Sequence, residues 1–193
     1  MKTNIIVFLS LLILSACGTT STTNQTESKP QAEKEAQTAS KVSIIQLTSD
    51  VNSSIVYINE NKWSYKKITK ADDPSEYSFE FNDQSKGFVS GKLITEKLTI
   101  DVQTLTKAAY INAAQSDPDI QIIKKEERTI NGNDVIYMEM AGAVDGIKFT
   151  YYGVYHSNEY GVTQLVTYLL SDTAEIFHGE IQDFLSGFDV AKK

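Results

Sequence analysis

Apolar and polar positions divide the chain into three regimes. Residues 5–14 form an apolar run interrupted only by Ser10. Residues 18–41 contain no Val, Ile, Leu or aromatic side chain. From Val42 the apolar positions return, mostly with the period of two that marks strands and in two segments with the 3.6-residue period of a helix.

In this third regime the alternation predicts strands over residues 43–47, 55–58, 63–68, 77–81 and 88–94. Tyr77, Phe79 and Phe81, alternating with Ser78 and Glu80, are the pattern of a half-buried strand. Thr104 is placed to cap a helix that runs to Ser116, with Leu105, Ala108, Ala109, Asn112 and Ala113 along one side; Asp117-Pro118 ends it. Strands follow over 120–129, 135–140, 147–155 and 160–170. Asn131-Gly132 and Asp145-Gly146 lie between them as two-residue hairpin signals, because these residue types tolerate positive φ. The four strands read as an antiparallel meander. Asp172 is placed to cap a last helix, with Glu175 completing a capping pair. Phe177, Ile181, Phe184, Leu185 and Phe188 then recur on one helical face, and Gly187 stands where a C-cap glycine belongs. The whole predicts an α+β fold, an antiparallel β-sheet flanked by helices. The strand over 147–155 carries apolar groups on both faces: Phe149, Tyr151 and Tyr155 on one, Tyr152 and Val154 on the other. A central hairpin covered on both sides is expected there.

The first regime has a different meaning. Lys2 precedes the apolar run, whose length suits the ~7–15 residues of a secretory h-region and falls short of the roughly 20 that a membrane-spanning helix needs. Leu14-Ser15-Ala16-Cys17 closes it. An aliphatic residue, two small residues and a cysteine resemble the lipobox of a bacterial lipoprotein. The resemblance implies cleavage between Ala16 and Cys17, a diacylglyceryl thioether on Cys17, and acylation of the new amine. Two or more acyl chains anchor a protein stably where one does not. Cys17 is the only cysteine in the chain, so no intrachain disulfide can form, and the lipidation that the resemblance implies also rules out thiol catalysis and a thiolate metal site. Gly18, rather than aspartate, follows it. The resemblance then implies the outer membrane of a two-membrane bacterium, or the outer leaflet of the plasma membrane in a one-membrane cell.

Residues 18–41 are rich in Thr, Ser, Gln, Glu, Lys and Ala, and too poor in apolar surface to fold. As a coil they would span about 25–30 Å. The organisation expected is a signal over 1–16, the lipidated cysteine and a disordered tether over 17–42, and one domain over 43–190.

Charge narrows the partners. The chain has 18 Lys plus Arg against 25 Asp plus Glu, a net charge of −7. An acidic protein without a basic stripe is a poor ligand for nucleic acid, where phosphate contacts dominate affinity, and for anionic lipid.

The order of elements, with Gly87-Phe88-Val89-Ser90-Gly91, Ile130-Asn131-Gly132, Tyr151-Tyr152-Gly153-Val154 and Phe184-Leu185-Ser186-Gly187-Phe188 at their places, resembles the PsbP-like family. That family takes in the PsbP subunit of photosystem II and small bacterial envelope lipoproteins of the DcrB type. The resemblance runs from about residue 63 to 188. It implies an antiparallel sheet flanked by helices, no common reaction, and members that bind or help assemble other proteins.

Candidate chemistry is sparse. No Gly-x-Ser-x-Gly elbow, phosphate loop, dinucleotide fingerprint or zinc-protease helix occurs. Glu175 and His178 lie three apart, the spacing of a metal pair and equally of an exposed helix side. His156 reads as a polar residue at a strand end. Asp72-Asp73 and Asp117-x-Asp119 lack the spacing of a calcium loop and read as solvated turns. No metal, no cofactor and no enzymatic activity are expected. Tyr151, Tyr152, Tyr155, Tyr160 and Tyr168 crowd the last two strands, either as core or as a candidate recognition surface, where such rings are enriched. The function expected is a lipid-anchored, non-enzymatic module that binds or assists another envelope protein. The alternative is a small-ligand carrier or sensor with a pocket between sheet and helix.

Overall fold

The two-residue turns set the registers of the larger sheet. Asn131 and Gly132 have φ of 51° and 81°, and Asp145 and Gly146 have 52° and 81°. Both pairs therefore make the left-handed turn whose twist matches that of the flanking strands. In the computed structural model, which describes residues 42–69 and 73–192, they join β6 (Gln121–Ile130) to β7 (Asn133–Val144) and β7 to β8 (Ile147–Asn158). A further turn leads to β9 (Gly161–Leu170). The expected signal, Cys17 and the expected tether up to residue 41 lie outside the described residues.

Upstream, β3 (Trp63–Lys67), β4 (Ser75–Phe81) and β5 (Val89–Glu96) form a second antiparallel run. β5 pairs with β9, which closes the two runs into one seven-stranded sheet of order β3-β4-β5-β9-β8-β7-β6. Helix α1 (Val102–Ser116) carries the chain from the central β5 across β8 and β7 to the far edge, where β6 begins. Helix α2 (Ala174–Leu185) follows β9 and packs on the opposite face.

A smaller sheet completes the α2 side. β1 (Ile44–Thr48) and β2 (Ser54–Asn59) form a hairpin, and β10 (Phe188–Val190) adds antiparallel to β2. The sequence reading placed no strand after the helix and its Gly-Phe. The three residues of β10 are too few to show a period, and only the pairing of Phe188 with Val56 makes them a strand.

Each face has its own core. On the α2 side Phe177, Ile181, Phe184 and Leu185 pack with Val56, Ile58, Trp63, Phe79, Leu93, Val154 and Leu165. On the α1 side Leu105 packs with Ile136, Met138, Met140, Tyr155 and Val162, joined by Ala109 and Ala113. Alternation along β8 sends Tyr152 and Val154 to the first cluster and Tyr155 to the second. The hairpin is thus covered on both sides, as its composition requires.

The helix ends differ from the expected ones. Asp101, not Thr104, caps α1: its Oδ1 accepts the Thr104 N–H at 2.8 Å. Thr104 lies inside the first turn. Asp172 belongs to a short 3-10 turn, Ser171–Thr173, and no side chain caps α2. That turn already engages the first helical N–H, the Ala174 N–H donating to the Ser171 carbonyl. Gly187 does follow the helix, but it is not among the residues with positive φ. Its lack of a side chain serves close approach instead. A Cβ there would collide with the Tyr57 carbonyl oxygen, and the Tyr57 N–H donates to the Gly187 carbonyl at 2.8 Å.

Candidate functional site

The five tyrosines do not form one surface. Tyr152 and Tyr155 are buried on opposite faces of the sheet, so these two belong to the core and leave the candidate recognition surface. Burial, and then the nearby Glu139, pushes the Tyr152 phenol up to about 12; burial raises Tyr155 further. Tyr160 is half-buried beside the β8–β9 turn. Tyr151 and Tyr168 remain. They are register partners with ring centres 6.4 Å apart, and residues paired across antiparallel strands share a face.

That face is the one α1 covers only in part. Phe149 pairs with Leu170 one step further along the same strands, and Phe149 lies 6.4 Å from Tyr151. Ile147 continues the row at the hairpin end. Ile147 is 53% exposed and Leu170 38%; Phe149, Tyr151 and Tyr168 are half-buried. Phe88, exposed as well, immediately precedes Val89, the residue that pairs with Leu169. Asp117, which ends α1, sits over Gly142, the register partner of Phe149, and from there the row passes from Tyr151, packed against the α1-side core, out to the exposed Ile147 and Leu170. Contiguous exposed apolar surface of this kind marks interaction sites. Alternation alone would have grouped these residues on one face, but only the length of α1 tells that the face is uncovered here.

Asp117 borders the row. It is the C-cap of α1, its N–H donating to the Ala113 carbonyl at 3.0 Å. The reading of Asp117 as a solvated turn is wrong: it is 2% exposed. Its Oδ1 accepts the Asp119 N–H at 3.1 Å, while Oδ2 has no hydrogen-bond partner among the described residues. Oδ2 occupies the place where a side chain on residue 142 would stand, so a Cβ at Gly142, the register partner of Phe149, would have to displace the Asp117 carboxylate. The Tyr151 phenol is raised, first by burial and then by the negative charge of Asp117.

Other candidates resolve into structural roles. Asp73 accepts the Ser75 N–H at 2.9 Å and pairs with Lys92; Asp72 lies outside the described residues. Glu175 and His178 are both exposed on α2, with the His178 ring edge-on to Tyr152. His156 Nδ1 meets the Asp134 carbonyl at 2.9 Å. Arg128 lies 3.5 Å from the centre of the Tyr137 ring and donates to Gln182 at 2.8 Å, while Gln182 donates to the Tyr137 hydroxyl at 3.1 Å. This set ties α2 to the edge strands. A hollow of about 280 Å³ lies between the start of α1 and β6, lined by Gln103, Lys125, Glu126, Glu127 and Ile136. The Lys125 ammonium there is engaged by Gln103 and Thr106, each at 2.8 Å. No aromatic ring lines it, and no group of three or more His, Cys, Asp or Glu gathers for a metal among the described residues.

No protein-family model and no curated protein matches the sequence. Solved structures do. The solution structure of cyanobacterial PsbP from Synechocystis sp. PCC 6803 superposes with a TM-score of 0.57 at 14% identity, covering 80% of this chain and 96% of that one. LpqN of Mycobacterium tuberculosis, described as involved in cell envelope biogenesis, superposes with a TM-score of 0.54 at 14% identity, covering 78% of this chain and 92% of that one. The fold is PsbP-like: antiparallel sheets with two helices.

Proposed function

We propose that this chain is a lipid-anchored lipoprotein of the cell envelope that binds or assists a second envelope protein and performs no chemistry of its own. The observation that carries the proposal is the open apolar row of Ile147, Phe149, Tyr151, Tyr168 and Leu170. The row begins at Tyr151, which packs against the α1-side core, and runs out to the exposed Ile147 and Leu170, apolar surface that a protein partner would cover. The lipobox ending in Cys17 supports the envelope address, and the likeness of fold to an envelope-biogenesis protein agrees with it.

Photo-crosslinking in intact cells tests the docking surface. A crosslinking residue at position 170 is expected to capture a discrete envelope protein that the same group at the exposed position 175 does not. Recovery of lipid alone, or of nothing, at position 170 overturns the proposal. The address is tested separately. Cys17→Ser is expected to move the protein from the membrane fraction to the soluble one. A mature product whose mass corresponds to a bare thiol at residue 17 would contradict it.

A further inference from the structure

Asp117 is placed against three general preferences. A carboxylate buried to 2% exposure loses its hydration. One of its oxygens finds no protein donor. It also stands at the C-terminus of a fifteen-residue helix, where the aligned peptide dipoles already concentrate negative charge. Together these gather negative charge at one place with little on the protein side to offset it, and a nearby positive charge would be attracted there.

Among the described residues no cation pairs with Asp117: neither of its oxygens takes part in an ion pair with Lys, Arg or His. What lies beside it is the aromatic row. Phe149 is across the ladder from Gly142, over which Oδ2 sits, and Tyr151 is near enough to feel the carboxylate. Ring faces attract cations, most strongly when both are shielded from water. A buried charge is also poorly screened, so a cation held over Phe149 or Tyr151 would feel Asp117 without touching it. A metal ion is a poor occupant, since its other neighbours would be rings and aliphatic carbons rather than oxygens.

We infer that the row receives the guanidinium or ammonium group of a partner protein's side chain, flanked in that partner by apolar residues that cover Phe149 and Leu170. This rests on the docking proposal above and adds the chemistry of what docks. An acidic chain meeting a basic, apolar segment is also the electrostatically complementary case.

The test uses the full chain in detergent and two peptide probes, acetyl-Leu-Arg-Phe-amide and its neutral twin with citrulline for arginine. Chemical shifts of Tyr151, Tyr168 and Gly142 are followed while each probe is added to millimolar concentration. The arginine peptide is expected to bind about tenfold tighter than the citrulline peptide. Asp117→Asn, which keeps the shape and removes the charge, is expected to erase that difference. The citrulline comparison needs no variant, so it stands even where Asp117→Asn fails to fold. Equal binding of both peptides at Tyr168 would overturn the cation assignment and leave the docking surface in place. Unmoved shifts with both probes, together with an empty crosslink at position 170, would overturn the two proposals together.

Discussion

Trp63 stacks on Phe184 with ring centres 4.3 Å apart and planes inclined by 29°. Phe79 meets the same phenylalanine edge-on at 5.0 Å. Phe184 thus joins α2 to both β3 and β4, and the helix is held by aromatic packing rather than by a cap. Phe184→Ala is expected to cost about 3–5 kcal/mol, since the hole would be walled by rings that cannot collapse into it. Thermal melting measures this. Trp63, the only tryptophan, should shift its emission to longer wavelength in the native state as its stacked face opens.

Two glycines of the α2 region should respond in opposite directions to the same substitution. Gly187→Ala places a methyl group against the Tyr57 carbonyl, a backbone atom that cannot swing away. It is expected to destabilise by about 1–3 kcal/mol through forced displacement of β2 or β10. Gly179 lies inside α2 with open space where a Cβ would go. Gly179→Ala should stabilise by about 0.5–1 kcal/mol, because alanine loses less backbone freedom on entering a helix. Urea denaturation of the pair of variants checks both signs.

Alkaline pH should unfold the domain partly through Tyr152. Its folded-state phenol is raised from the ordinary value to about 12, chiefly by burial. The folded state therefore keeps a proton that the unfolded chain releases from about pH 10 upward. Stability from this group is whole below pH 10 and falls as the pH rises through 12. Tyr152→Phe should be more stable relative to the parent at pH 11.5 than at pH 8. A difference between the two proteins that is the same at both pH values would contradict this.

At the acid end, Asp101 acts in the opposite sense. Hydrogen bonds from the Thr104 side chain and N–H hold its carboxyl below the usual range. Its contribution is present above the unfolded-state value and lost as the pH falls through the folded one. Asp101→Ala should speed amide exchange at Thr104 and Leu105 while leaving the last turn of α1 protected. Uniform loss of protection along the helix would show that the cap does more than close its first turn.

How far the sequence reached is visible residue by residue. Asn131-Gly132 and Asp145-Gly146 specify their turns locally, because few residue types accept positive φ at both positions. Period two along β8 assigned Tyr152 to one face and Tyr155 to the other, and Phe177, Ile181, Phe184 and Leu185 at helical spacing defined α2, while Phe188, counted with them, belongs to β10. Phe188-Asp189-Val190 was not legible as a strand, since its pairing with β2 joins residues more than a hundred positions apart. Asp117 was misread for a related reason. Its composition is that of a turn, and its burial comes from Gly142 and the sheet beneath it.

Local stereochemistry and periodicity, both written in the sequence, thus determined the elements, the hairpin registers, and which side chains share a face. The tertiary structure alone decided what lies over each face. Tyr155 is sealed under α1, while Phe149 and Leu170, on the same side of the same strands, stand beyond the helix end. The reason is physical: alternation fixes the direction of a side chain through the backbone that carries it, whereas its covering depends on where a distant segment comes to rest.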